Sequence, residues 1–591
     1  MANEKSKAEQ YRDDRKARIA KAAKKNAHNM EKQSVVKKVL GKVISVIIII
    51  ALVLTIGGWG LSYFGVPQRL IPVGAVGETN LNISMAEYEY YYMRAYNQLI
   101  NNVQQYSQYG YDYGYDTTLA PQDQKQTTKD DDGKEITWAE YLDKQTRSLI
   151  QTYKAYYKMA LEKGYKLTDA EKKNIDKQLD EMKEEANSSG SQDESKAGYS
   201  LNAYLRKVYG GGVNKSFLRK QMEISTLAQK YYQERVKELK ASYKQADIDA
   251  VYNKDKDAYD MVTFRVYRFS SADLTQEENE TEEKFNERKT KATAENKKNA
   301  DAFLAAVKDE QSFIAQAKAA HDKNKTADDT QEYDAAKDTL RSNQLKNGDG
   351  TQNNPGIAST YSEDVANWLY AAGRKVGDKT VIADKDSGTA TVLYLVKTKA
   401  QTDTVNVRHI LFLTIDSETQ EPLSDADKAK AKKNAEDALK QWKDGAKTAE
   451  SFGEIANDLS EDPGSNTTGG LYENAVQGQF EAAFDSWCFD ASRKPGDTEV
   501  IETSYGYHVM YFEGKGTKYY DSAIRASKAS EAFEKESKEQ MESKTYEIGL
   551  GPKRFAYTQK KLNKKIKGLV ELSNANSSNA AANAAGSNYS Y

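Results

Sequence analysis

Histidine and cysteine, two of the residue types most often recruited for chemistry, are scarce in this 591-residue chain. Histidine occurs four times, at His28, His321, His409 and His508, and cysteine once, at Cys488. A single cysteine excludes an intramolecular disulfide and any cysteine-rich zinc module, and four scattered histidines argue against a multi-histidine metal site. Cys488 lies between Trp487 and Phe489 and reads as a small buried hydrophobe rather than a reactive thiol. The chemistry-bearing residues concentrate between 404 and 515. His409 stands in VRHILF, Asp462 in FGEIANDLSEDPGS, Phe480 and Phe484 in GQFEAAF, and Thr503, Tyr505 and His508 in ETSYGYHVMYF. Each has a bland reading: an isolated histidine is usually a satisfied core or surface residue, Phe480 and Phe484 at i and i+4 can be plain core, and Asp462 before Pro463 can be a turn residue.

The order and spacing of these segments resemble the parvulin-type peptidyl-prolyl isomerases. The resemblance rests on the H-I-L-F opening, the S-E-D-x-G-S loop, Gly469-Gly470 and the closing T-x-x-G-Y-H. It implies an isomerase domain that acts without cofactor or metal. Rotation about an X–Pro bond crosses ~18–20 kcal/mol but breaks no bond. A pocket for the proline ring and polar groups suited to a twisted amide are therefore enough. By resemblance, Phe480, Phe484 and Tyr472 line the proline pocket, and His409 and His508 meet at its floor on adjacent strands. Asp462 sits at the mouth, and Thr503 and Tyr505 flank His508. The catalytic set is then His409, Asp462, Thr503 and His508, and the substrate-binding set Tyr472, Phe480, Phe484 and Tyr505. The chain departs from the family at Gly469–Ala475, where GGLYENA replaces the usual G-G-D-L-G-x-F. The 414–426 loop has no basic cluster, so phosphate-directed specificity is not expected.

An internal repeat supplies the elements that must hold these residues. VTFRVYRF at 262–269 parallels VNVRHILF at 405–412, and VANWLYAAGRKVGD at 365–378 parallels FDSWCFDASRKPGD at 484–497. Each copy reads as strand, helices, strand, strand. In the first copy Val266 takes the place of His409 and Thr391 that of His508. Residues 259–400 are thus expected to be a degenerate parvulin-like domain, a scaffold or client platform, and 401–516 the active one.

Upstream, three S/T-x-x-E signatures at Ser84–Glu87, Thr137–Glu140 and Thr168–Glu171 open helical patterns. Residues 65–258 are expected to form an all-helical, chaperone-like domain. Ten tyrosines fall between Tyr88 and Tyr115. Those at helical spacing suit core or groove, whereas the loop tyrosines from Tyr106 to Tyr115 suit transient client contact. Val43–Phe64 carries no formal charge over 22 residues, enough to span ~30 Å of hydrocarbon as helix. Residues 1–42 hold 13 Lys or Arg against 5 Asp or Glu, a net +8, which leaves −10 for the rest. The positive-inside rule then places 1–42 in the cytoplasm and the remainder outside the membrane; this also accounts for the basic tail better than nucleic-acid binding does. Residues 517–570 read as a charged helical segment and 571–591 as a disordered tail.

The fold expected is α+β and multidomain: one transmembrane helix, a helical domain, two parvulin-like domains and a tail. The single anchor, helical domain and parvulin unit resemble membrane-anchored extracytoplasmic foldases of the PrsA and SurA type. This implies unfolded or newly secreted polypeptides as clients and a single-pass protein of a bacterial, Gram-positive cell membrane. Two other readings stay open: a holdase whose parvulin unit only grips chains, favoured by the altered 471–475 segment, and an envelope interaction protein that reuses the fold.

Overall fold

The computed structural model describes residues 68–69, 72–77 and most of 81–586, omitting only 109, 127–132, 189–198, 272–273, 278, 326–332, 349–354, 418 and 420. The expected basic tail and the apolar segment 43–64 lie outside the described residues. None of the described helices is long and apolar enough to cross a membrane. Among the described residues eleven strands run in chain order: β1 (Pro72–Val76), β2 (Leu81–Ser84), β3 (Met261–Phe269), β4 (Leu340–Gln344), β5 (Lys379–Asp384), β6 (Thr389–Ala400), β7 (Asp403–Leu413), β8 (Leu471–Val476), β9 (Thr498–Glu502), β10 (Gly506–Lys518) and β11 (Ile548–Leu550). The chain forms two compact units. One runs from Tyr243 to Lys528; the other joins the described residues before Tyr243 to those from Ala529 onward.

The second of these units is not all-helical. Antiparallel β1 and β2 pair, and β11 pairs with β1 from the far end of the sequence, giving the order β11-β1-β2. The strands were missed because each is five residues or fewer and holds few β-branched residues. The helical expectations hold better. Helices Met85–Gln108, Trp138–Glu162 and Asp169–Ser188 begin at the three cap signatures. Thr137 and Glu140 satisfy each other reciprocally as a capping box. At Ser84 the hydroxyl accepts from Glu87 N–H, while the Glu87 carboxylate meets buried Lys154 at 2.9 Å. Tyr88, Tyr91 and Tyr92 are fully buried, with Tyr91 Oη donating to Gln221 Oε1 at 3.2 Å. The loop tyrosines divide. Tyr113 and Tyr115 pack on Trp138, which removes them from client contact, whereas Tyr106 and Tyr111 are exposed.

Of the segment from 517 on, the residues from Ala529 onward pack into the unit that holds the tyrosine-rich helix. Tyr519–Glu542 is helical, β11 follows, and Phe555, Leu562, Ile566 and Val570 of helix Pro552–Gly586 enter the same core as Tyr88 and Tyr92. Expected disorder from 571 is corrected by this helix, which continues to Gly586. Its Ala- and Asn-rich end lacks large side chains but also lacks helix breakers before Gly586.

The unit from Tyr243 to Lys528 contains two four-stranded antiparallel sheets of the same order, β4-β3-β6-β5 and β8-β7-β10-β9. The repeat extends to single hydrogen bonds. Gly377 N–H donates to Leu395 O, and Gly496 N–H to Phe512 O. Arg374 lies over Trp368 at 4.1 Å and Arg493 over Trp487 at 4.2 Å. The edge strands β4 and β8 complete each sheet and were not foreseen. LYENAV is short, and its alternation is interrupted where Asn474 takes a positive φ of 53°. Register aligns the copies independently of sequence: Val266 stands opposite Leu393 as His409 stands opposite Met510. Thr391 is then two residues before Leu393, as His508 is two before Met510.

Candidate active site

β7 and β10 are central neighbours, so His409 and His508 project from adjacent strands onto one face. Both are buried, at 3% and 5% exposure. Their Nδ1 atoms are 3.0 Å apart. On the other side of each ring, His409 Nε2 is 2.8 Å from Asp462 Oδ2, and His508 Nε2 is 2.8 Å from Thr503 Oγ1. The partners fix the protons. A carboxylate only accepts, so His409 carries its proton on Nε2 and presents a bare Nδ1. His508 must then donate from Nδ1 and accept at Nε2 from the Thr503 hydroxyl. Thr503 Oγ1 in turn accepts the Tyr505 N–H at 3.2 Å. The result is one directional chain from Tyr505 N–H through Thr503, His508 and His409 to Asp462.

The loop Ser460–Ser465 is fastened along β7. Ser460 Oγ accepts from Leu411 N–H, Glu461 N–H donates to Leu411 O, and Glu461 Oε2 accepts from Leu413 N–H at 2.8 Å. Asp462 also accepts from Ser465 Oγ and from Tyr472 Oη at 3.1 Å. The two glycines behind the loop allow this approach. Gly470 has φ +70°, and a Cβ there would lie 2.1 Å from His409 O, whose own N–H donates to Gly470 O at 2.9 Å. Arg408 faces the opposite side of β7 and holds the same turn through Gly469 O at 2.9 Å.

Aromatic rings wall the polar chain. Phe484 meets both imidazoles edge-on, with centroids 5.2 Å from His409 and 5.3 Å from His508. Phe480 packs against Phe484 at 4.5 Å with the rings tilted, and Tyr472 meets Phe480 edge-on at 5.1 Å. Seven of the eight expected residues thus assemble: His409, Asp462, Thr503, His508, Tyr472, Phe480 and Phe484. Tyr505 contributes its backbone, while its side chain is 49% exposed and no ring contact joins it to the cluster. Ser465 was not singled out from sequence, although its fully buried hydroxyl bridges Asp462 and His409 Nε2. Its signal was its position three residues after Asp462 in D-P-G-S, where a turn returns the hydroxyl to the carboxylate. Cys488 is buried and its thiol is pushed up by burial, as a core residue should be. Among the described residues no cluster of His, Cys, Asp and Glu could hold a metal.

Burial and hydrogen bonding move two of these groups from their ordinary ranges. Burial works to raise the Asp462 carboxyl, but hydrogen bonds from His409 and Ser465 outweigh it and hold the group well below the usual carboxylate range. Burial, followed by neighbouring His409, lowers His508 to about 3. Both folded values lie below the ordinary ones, so both groups favour folding above those ordinary values and lose that contribution as pH falls. For His508 the window runs from 6.5 down to about 3. Thermal stability of this sheet should therefore fall on acidification from pH 7 to 4, by at most about 1.4 kcal/mol per pH unit from His508. A His508→Gln protein, melted across the same pH series, should show a shallower slope; an unchanged slope would place the acid sensitivity elsewhere.

The geometry can be set beside known proteins. Residues 391–515 match the model of the PPIC-type PPIASE domain. Among solved structures, a peptidylprolyl isomerase (PrsA) from Bacillus anthracis is 19% identical over 28% of this chain and 58% of its own, with a TM-score of 0.15. PrsA from Bacillus subtilis is 15% identical over 74% of this chain and 90% of its own, with a TM-score of 0.20. A match described with the SurA-like chaperones PEB4 and Cj1289 of Campylobacter jejuni is 20% identical over 23% of this chain and 53% of its own, with a TM-score of 0.15. The first and third of these are thus spanned over little more than half their length. At such scores the structural likeness carries no argument, and the family match is the informative one. A search of curated proteins returns no match. The matched residues begin within β6, a strand of the first sheet, and take in β7, β8, β9 and most of β10; the second sheet is that of a parvulin-type, PPIC-class domain.

Proposed function

We propose that this chain is a peptidyl-prolyl cis–trans isomerase and chaperone for unfolded polypeptides, working through the second repeat. The observation that carries the reading is the hydrogen-bonded run Thr503–His508–His409–Asp462 beneath the wall of Phe480, Phe484 and Tyr472. The wall offers an apolar seat for a proline ring. Asp462, ionised at neutral pH, places a fixed negative charge at the edge of that seat. A planar amide concentrates negative charge on its carbonyl oxygen; twisting returns charge to nitrogen. A carboxylate facing that oxygen therefore destabilises the planar amide relative to the twisted one, which is differential stabilisation of the transition state. The two histidines hold the carboxylate and the wall in place and need not move a proton.

The first repeat lacks the parts. Val266 and Thr391 replace the histidines by register, and Ile357 from helix Gly356–Thr360 packs with Phe264, Val266 and Val365 where the second repeat has its aromatic wall. In the same proposal, residues 43–64 anchor the chain in a cell membrane with 1–42 cytoplasmic, and the clients are newly secreted proteins. The test is catalysis of isomerisation in a proline peptide by the full chain, with an Asp462→Ala/Phe484→Ala double variant as control. Acceleration that the variant abolishes supports the reading. Acceleration that survives in a folded variant would move the activity to the first repeat or remove it from this site. Binding of unfolded chains without acceleration would favour the holdase.

A further inference from the structure

The register that removes the histidines from the first repeat puts arginines in their neighbourhood. Tyr472 stands opposite Val407 in the second sheet, and Arg341 stands opposite Phe264 in the first, so Arg341 takes the place of Tyr472. Tyr361 lies nine residues before Tyr370 and seven before Trp368, as Phe480 lies seven before Trp487, so Tyr361 takes the place of Phe480. Arg268 alternates with Phe264 and Val266 along β3 and shares their face. The two arginines converge on Tyr361: Arg341 Nε donates to its Oη at 2.9 Å, and the Arg268 guanidinium lies 5.1 Å from its ring centre.

Among the described residues neither side chain touches a carboxylate, although Arg268 lies near enough to Asp384 to help hold that carboxyl below its ordinary value. Between residues 243 and 528 there are eight arginines. Six reach a carboxylate: Arg265, Arg288, Arg374, Arg408, Arg493 and Arg525. Arg268 and Arg341 bond instead to neutral acceptors, Thr360 O for the first, and Asp338 O and Leu340 O for the second. Arg268 is exposed and Arg341 half-buried. Two guanidinium groups around one aromatic ring, neither of them in a contact ion pair, are suited to planar carboxylates.

We propose that the Arg268–Arg341–Tyr361 face of the first repeat is a binding site for acidic segments of unfolded polypeptide. The choice of polypeptide as occupant rests on the client reading above; the choice of carboxylate rests on the arginines alone. The site would complement the second repeat by holding a client through its Asp and Glu residues while prolines elsewhere in it turn.

The probe is a labelled, proline-free peptide of Glu and Ser, compared with its Gln and Ser counterpart, titrated against the full chain by fluorescence anisotropy. The basic residues 1–42 contribute equally to every variant, so the difference between variants is what is read. Wild type should favour the Glu peptide, and Arg268→Gln/Arg341→Gln should weaken it about tenfold without changing the Gln peptide. Because Arg341 braces Tyr361, that double variant can destabilise the repeat. Arg268→Gln alone, at an exposed position, should still weaken Glu-peptide binding severalfold. Equal binding of the Glu and Gln peptides, or undiminished Glu-peptide binding by folded Arg268→Gln, overturns the proposal. So does a loss confined to phosphatidylglycerol vesicles with the Glu peptide unaffected, which would make the occupant an anionic surface. Isomerisation of a neutral proline peptide should be the same in all these proteins. If no isomerisation is found but arginine-dependent binding is, only the isomerase reading falls.

Discussion

Asp462→Ala in the full chain should lower kcat/KM for a proline peptide by about a hundredfold with the peptide Kd nearly unchanged. The carboxylate is the one formal charge that touches the histidine pair, accepting from His409 Nε2 and Ser465 Oγ. Its effect is felt as the amide leaves planarity, so its loss appears in the catalytic step rather than in binding. Phe484→Ala should act differently. That ring meets both imidazoles and is 3% exposed, so its removal costs about 3–5 kcal/mol of stability in addition to the proline seat. Rate and affinity should then fall together in whatever fraction remains folded. Isomerisation and calorimetric binding on both variants, after melting curves, separate the two roles. A folded Asp462→Ala protein at full rate would show that the carboxylate only orients His409.

The sequence was most legible where long-range pairing repeats a local pattern. The meeting of His409 and His508 was legible through the family resemblance, and the antiparallel pairing of β7 with β10 is what brings the side chains together. Phe480 and Phe484 share a turn of chain and hence a face. Ser465 was less legible because its role depends on how tightly the 460–465 loop folds back on β7, which the backbone bonds to Leu411 and Leu413 decide. Arg341 was not legible at all. Edge strand β4 has no strong alternation, and only the ladder with β3 shows which residue of the other repeat it replaces. The same weakness hid β1, β2 and β11: three to five residues carry too little pattern to outweigh the helical signal around them.

Deletion of residues 548–586 should abolish cooperative unfolding of the unit that contains the tyrosine-rich helix and leave the unit from Tyr243 to Lys528 able to melt. The deletion removes β11 from the edge of β1 and takes Phe555, Leu562, Ile566 and Val570 out of the core. Four buried side chains at about 1.5–3 kcal/mol each match the whole ~5–15 kcal/mol of an ordinary domain. Calorimetry of the intact and shortened chains should show two transitions in the first and one in the second. Retention of both transitions would mean that helix Pro552–Gly586 is an accessory.

The return of β11 to β1 also sets a clock. Arg554 donates to Pro72 O across 482 positions, and at ~5–20 residues per second a ribosome needs roughly half a minute to a minute and a half to supply that partner. Throughout this interval the β1–β2 hairpin has a bare edge, open to mispairing with other strands. Lys518, where β10 ends, emerges before Ile548, where β11 begins. Contacts of lower sequence separation close first. The histidine site is thus complete while the unit encoded on either side of it is still half-made, and the nascent chain carries that site finished before its own tyrosine core can close.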